Sequence, residues 1–110
     1  MSDWFVETLG AEVDIELESL PQDIRGRFLR IVDLIEEFGL QNIGLPHVRS
    51  LGKKLWEIRA SGRDGIARGI YVVASGKRVI VVHVFIKKTD KTPAAALKLA
   101  TVRAKKAGLL

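Results

Sequence analysis

The chain has 110 residues, no cysteine, 18 Lys and Arg against 13 Asp and Glu, and a formal net charge of +5. A chain of this length fits one domain that buries about two-thirds of its unfolded surface, enough for a core without staples; the lack of thiols excludes a disulfide framework and thiolate chemistry. The start, MSDWFVETLG, has neither a basic nor an apolar signal region, and the longest apolar stretch, near Val79–Ile86, falls far short of the roughly 20 residues of a membrane helix, so a soluble cytoplasmic protein without a membrane partner is expected.

Trp4–Leu9 predicts a short strand, broken by Gly10. From Ala11 onward, Val13, Leu17 and Leu20 recur at helical spacing, with Glu12, Glu16 and Glu18 on the other side. Pro21 falls where the first turn of a second helix would start. In that helix Ile24, Phe28, Ile31, Ile35 and Phe38 form one apolar face, and Gly39 supplies a C-cap. The two helices predict an antiparallel hairpin. Residues 40–54, with Gly44, Pro46 and Gly52, read as a loop. The period then becomes two. Leu55–Ala60, Ile66–Ala74 and Arg78–Lys87 predict three strands, with SGRDG (Ser61–Gly65) and SGK (Ser75–Lys77) as the turns of an antiparallel meander. Thr92 and Pro93 read as N-cap and first residue of a last helix, Ala94 to about Ala107, with Lys98, Arg103, Lys105 and Lys106 turned outward. The result is one small α+β domain over residues 1–110: an N-terminal strand and helical hairpin packed on a twisted antiparallel sheet, with a C-terminal helix.

Charge is spread unevenly along this order. Residues 1–39 hold ten acids against three arginines; residues 40–110 hold fifteen Lys or Arg against Glu57, Asp64 and Asp90. Such asymmetry points to a polyanionic partner for the basic half, or to two halves that neutralise each other across the fold. The stretch FIKKTDKTP sets Lys87, Lys88 and Lys91 around Asp90 at the end of the most apolar strand. Three mutually repelling ammonium groups are either solvated there or meet something anionic.

Little classical site chemistry is available. Two histidines, His47 and His83, with no cysteine and no His-x-x-x-His spacing, give no footing for a metal site. No phosphate loop, dinucleotide fingerprint or GxSxG turn is present, so no cofactor is expected. What remains is guanidinium and ammonium groups on a sheet. By alternation Leu55, Glu57 and Arg59 share a face against Trp56, Ile58 and Ala60, and Arg68 lies among Ile66, Ile70 and Val72. In the last strand Val79, Val81, His83, Phe85 and Lys87 share one face, and Ile80, Val82, Val84, Ile86 and Lys88 the other. Arg59 and Arg68 on one face would clamp a phosphate, because the planar guanidinium fork matches it bidentately. His83 or Phe85 could stack on an unpaired base. Each residue also has a plainer reading: Arg68 could pair with Glu57 across the strands, His83, Phe85 and Trp56 could be core, and Lys53-Lys54 and Lys87-Lys88 could be solvated strand ends.

The order PHVRSLGKKLWEIRASGRDGIARGIYVV, then KRVIVVHVFIKKTDKTP, resembles the phage-derived HigB-like branch of the RelE/ParE toxin superfamily. The likeness covers nearly the whole chain. Its most specific pieces are Lys54-Leu55-Trp56-Glu57-Ile58-Arg59, Arg68 three before Tyr71, and His83-Val84-Phe85-Ile86-Lys87-Lys88-Thr89 with Lys91-Thr92-Pro93.

The resemblance implies a RelE-like fold and a toxin of a type II toxin–antitoxin module, neutralised by a cognate helix-turn-helix antitoxin. It implies a metal-independent endoribonuclease that cuts mRNA in the ribosomal A site, by attack of a ribose 2′-OH on the adjacent phosphate. Carried over by position, Arg59 and Arg68 would stabilise the phosphorane with Lys53 or Lys54 in support, and His83 would carry a proton. Phe85 would stack on a base, and Lys87, Lys88 and Lys91 would hold RNA backbone. The chain lacks the tyrosine that some relatives use near the end of the last strand. The alternative within the superfamily is a non-enzymatic ParE-like toxin that inhibits DNA gyrase; such a protein needs no phosphate clamp.

Overall fold

The computed structural model describes residues 2–110. In chain order the elements are β1 (Phe5–Thr8), α1 (Ala11–Glu18), α2 (Gln22–Phe38), a short 3-10 turn (Leu40–Asn42), β2 (Val48–Gly52), β3 (Leu55–Gly62), β4 (Gly65–Ala74), β5 (Arg78–Lys87) and α3 (Ala94–Lys106). The five strands form one sheet in the order β1-β5-β4-β3-β2. β1 runs parallel to β5, and every other pair is antiparallel.

The sheet has a core on each face. On one face α2 lays down Ile24, Phe28, Ile31 and Ile35, all nearly inaccessible, against Ile58, Ala60, Ala67, Tyr71, Val79 and Val81. Phe28 lies directly over Gly69; a Cβ there would stand 2.4 Å from Phe28 Cζ, so glycine is needed for the helix to approach this closely. Phe38, expected on the same stripe, is 52% exposed; it is the last residue of the helix. On the other face α3 packs through Ala96, Ala100 and Ala104 against Leu55, Ile70, Val72, Ile80 and Val82. Alanine every fourth residue lets this helix sit low on the strands.

Four sequence expectations are corrected. Residues 40–54 are not all loop: Val48–Gly52 pairs with β3 through Val48 opposite Ile58 and Arg49 opposite Glu57. The segment VRSLG shows no strong alternation, and pairing rather than propensity makes it a strand. Pro21 and Pro93 each stand just before their helix instead of inside its first turn. Trp56 is 39% exposed rather than core. Strict alternation along β5 fails at Val82. Tyr71 pairs with Val81 but Ile70 pairs with His83, so Val82 is an extra residue, a bulge. Before it, Val79 and Val81 face α2; after it, Val84 and Ile86 do. His83 and Phe85 therefore share the α3 face with Ile80 and Val82, not with Val79 and Val81.

Candidate active site

That bulge sets Phe85 opposite Arg68 and His83 opposite Ile70, while Arg68 stands opposite Arg59 and Ile70 opposite Glu57. Directly paired residues share a face. The sheet thus gathers Glu57, Arg59, Arg68, His83 and Phe85 on one surface, beyond the alanine stripe of α3.

Glu57 organises the arginine end. Its carboxylate is fully buried and accepts from Arg59 Nη1 at 2.7 Å, Arg49 Nε at 3.2 Å and Thr92 Oγ1 at 2.6 Å. A buried charge persists only when so partnered. Thr92 is consequently spent on Glu57 rather than on capping α3, as its place before Pro93 had predicted. Arg59, 9% exposed, turns its other amino group to the segment between β5 and α3: Nη2 donates to Asp90 Oδ1 at 2.7 Å and Nη1 to the Asp90 carbonyl at 3.2 Å. Arg68 does not pair with Glu57 directly. It is wholly buried, and its terminal nitrogens donate to the carbonyls of Ile66, Lys87 and Thr89. Its Nε has no acceptor among the described residues. Burial, then the neighbouring Arg59 charge, push the Arg68 pKa below the ordinary arginine value, yet a guanidinium stays charged at neutral pH. Residues 88–91 therefore close over the arginine pair, with Asp90 and the Thr89 carbonyl as internal acceptors.

An aromatic bridge leads to the histidine. The Arg68 guanidinium carbon lies 5.9 Å from the Phe85 ring centroid. The His83 ring stacks on Phe85 at 4.9 Å between centroids with 25° between planes. β1 ends at Thr8, opposite Val81, so β5 has an unpaired edge beyond that point. Side chains complete it: Val84 N–H donates to Glu16 Oε1 at 2.9 Å, and Arg103 Nη1 donates to the Val82 carbonyl at 2.9 Å. Glu16 also takes His83 Nδ1 at 3.0 Å and Arg103 at 3.0 Å. Arg103, expected to face outward, is turned inward onto this carboxylate, with its side chain 15% exposed. Burial alone would raise the Glu16 pKa; the Arg103 hydrogen bond, the Val84 N–H and His83 outweigh it and hold the carboxyl below its usual value. Arg103 with Glu12 and Glu16, and Arg78 with Glu7, are contacts through which the acidic and basic halves of the chain neutralise each other.

Of the residues singled out from sequence, Arg59, Arg68, His83 and Phe85 come together. Lys87, Lys88 and Lys91 are exposed around the segment that covers the arginines. Lys53 and Lys54 do not join them. Both occupy the β2–β3 turn with φ of 53° and 68° and border a shallow depression with Thr101, Lys105 and Leu110. Lys54 stands five residues before Arg59, about 16 Å of extended strand away. Glu16, Arg103 and Asp90 escaped the sequence reading as site residues. Glu57 carried a signal, a carboxylate two residues before an arginine on one strand face. The Glu16–His83 contact carried none, being 67 residues apart in sequence.

This architecture, a five-stranded sheet with β1 parallel to β5 and a C-terminal helix on the face opposite α2, is that of the RelE-like toxin superfamily. The chain is similar to the crystal structure of an archaeal RelE–RelB complex from Pyrococcus horikoshii OT3, with a TM-score of 0.53 and 25% identity over 77% of this chain and 96% of that one. A family profile, phage derived protein Gp49-like (DUF891), matches residues 15–105, and the chain belongs to that family. No curated protein matches it. Among the described residues no helix is long and apolar enough to cross a membrane.

Proposed function

We propose that the chain is the toxin of a type II toxin–antitoxin module of the HigB-like kind, a metal-independent endoribonuclease that cuts mRNA in the ribosomal A site. The observation that carries this reading is the Arg59–Arg68 pair, side by side on adjacent strands with Phe85 and His83 in line beside it. The neighbour's complex with RelB supports an antitoxin as partner. In the reaction the ribose 2′-oxygen forms a bond to phosphorus as the bond to the 5′-oxygen breaks. One proton leaves the 2′-OH and another reaches the 5′-oxygen. Two guanidinium groups neutralise charge on the phosphorane, and an imidazole, which can both take and give a proton, suits the transfer. Lys87, Lys88 and Lys91 hold the RNA or ribosomal backbone. Access requires residues 88–91 to lift; a phosphate then replaces Asp90 on Arg59 and supplies the acceptor that Arg68 Nε lacks.

One observation favours the non-enzymatic, gyrase-inhibiting alternative: the arginines are already covered and mostly satisfied internally. The deciding experiment is cleavage of mRNA on programmed ribosomes by the purified protein, mapped by primer extension, with naked mRNA as control. Cuts confined to ribosome-bound message at A-site positions are expected. No cuts in either sample, from a protein that still arrests growth, would overturn the endonuclease reading in favour of the gyrase one.

A further inference from the structure

His83, the imidazole on the site face, is held by a carboxylate from an element distant in sequence. Glu16 Oε1 lies 3.0 Å from His83 Nδ1. A carboxylate accepts, so Nδ1 carries the hydrogen and donates it. Arg103 Nη1, 3.5 Å from the same nitrogen, does not compete, because its two hydrogens go to Glu16 Oε1 and the Val82 carbonyl. A neutral imidazole with Nδ1 protonated has its lone pair on Nε2.

Resting on the endonuclease reading, we propose that Glu16 is a positioning residue for this reaction. It fixes His83 as the Nδ1–H tautomer, so that Nε2 is the nitrogen that takes a proton, and it stabilises the imidazolium that results. Glu16 is fitted to this by its own partners. Arg103 holds both carboxylate oxygens and the Val84 N–H holds one, so the carboxylate is fixed against the strand edge. The His83 ring is fixed in turn by Phe85 on its flank. The charged groups around the imidazole are Glu16 from α1, with Glu12 behind Arg103; Arg103 from α3; and Arg68 from β4, beyond Phe85. The carboxylate is the nearest of these charges.

The test uses the full chain with Glu16→Gln, which keeps the side-chain volume and an oxygen for the Val84 N–H. Long-range proton–nitrogen spectra, assigned by loss of the signal in His83→Gln, read the tautomer of His83 directly. The wild type is expected as the Nδ1–H form. In Glu16→Gln that preference is lost, because the carboxylate that takes the Nδ1 hydrogen has gone. Single-turnover cleavage on programmed ribosomes is expected to slow by roughly tenfold or more. Added to His83→Gln, the Glu16 change should cost less than about twofold, since the two act as one unit. A wild-type Nε2–H tautomer, or a tautomer untouched by Glu16→Gln, overturns the proposal whatever cleavage shows. A shifted tautomer in a protein that never cuts RNA supports the pairing and sinks the endonuclease reading instead.

Discussion

Asp90→Asn removes the exposed one of the two carboxylates that hold Arg59, the one a phosphate would displace. The Asp90 carboxylate meets Arg59 Nη2 at 2.7 Å, but the Asp90 side chain is 84% exposed. A pair so open to water contributes at most about 1 kcal/mol to stability. Asparagine keeps an oxygen for Nη2, and the backbone contact from Arg59 Nη1 to the Asp90 carbonyl is untouched. The midpoint of thermal unfolding should fall by less than about 5 °C. Toward RNA the sign reverses. One negative charge about 4 Å from an incoming phosphate costs roughly 1 kcal/mol in water, so its removal should strengthen productive binding about fivefold. The assay is single-turnover cleavage of a ribosome-bound message at subsaturating toxin, with Asp64→Asn as a control. That control makes the same charge change in the exposed β3–β4 turn, at a side chain with no ion pair to Arg59 or Arg68, and should give a smaller gain. An Asp90→Asn protein of unchanged stability that cuts tenfold more slowly than wild type would refute the reasoning, because Asp90 would then be needed rather than displaced.

Glu57→Ala leaves Arg59 with Asp90 alone and strips Thr92 and Arg49 of their shared acceptor; breaking such a buried pair costs about 3–5 kcal/mol, and denaturant unfolding within 1 kcal/mol of wild type would refute that role. Replacing Lys87, Lys88 and Lys91 together by Gln should weaken RNA or ribosome binding and reduce the slope of log affinity against log salt by about 2; an unchanged slope would return these lysines to solvent. The lowered pKa of Glu16 contributes stability that is present above its unfolded value near 4.5 and lost as pH falls through the folded value. Acid unfolding of Glu16→Gln, followed by circular dichroism, should therefore be less steep than that of wild type, and identical acid profiles would contradict the pairing.

The helix pattern of α2, the period-two strands β3 to β5 and the helix after Pro93 were all legible in the sequence, because each element carries its own apolar periodicity. The same alternation put Arg59 on the face of Leu55 and Arg68 on the face of Ile70, and the structure joins them as cross-strand neighbours. Strand β2 was hidden, since VRSLG becomes a strand through its partner and not through its residues. The bulge at Val82 was hidden as well, since the extra residue is an apolar one in an apolar run.

Charge pairing divides along the same line. Sequence determined that the first 39 residues are acidic and the rest basic. Only the tertiary structure decided which charges meet: Glu16 with His83 and Arg103, and Glu57 with Arg59, Arg49 and Thr92. It alone decided that Asp90, in the middle of a lysine-rich segment, turns to Arg59 rather than to its lysine neighbours. Periodicity is a property of one element and survives in a linear string. An ion pair between elements depends on where β1 stops, which strand edge is left open and how far a segment folds back, and those are set by packing.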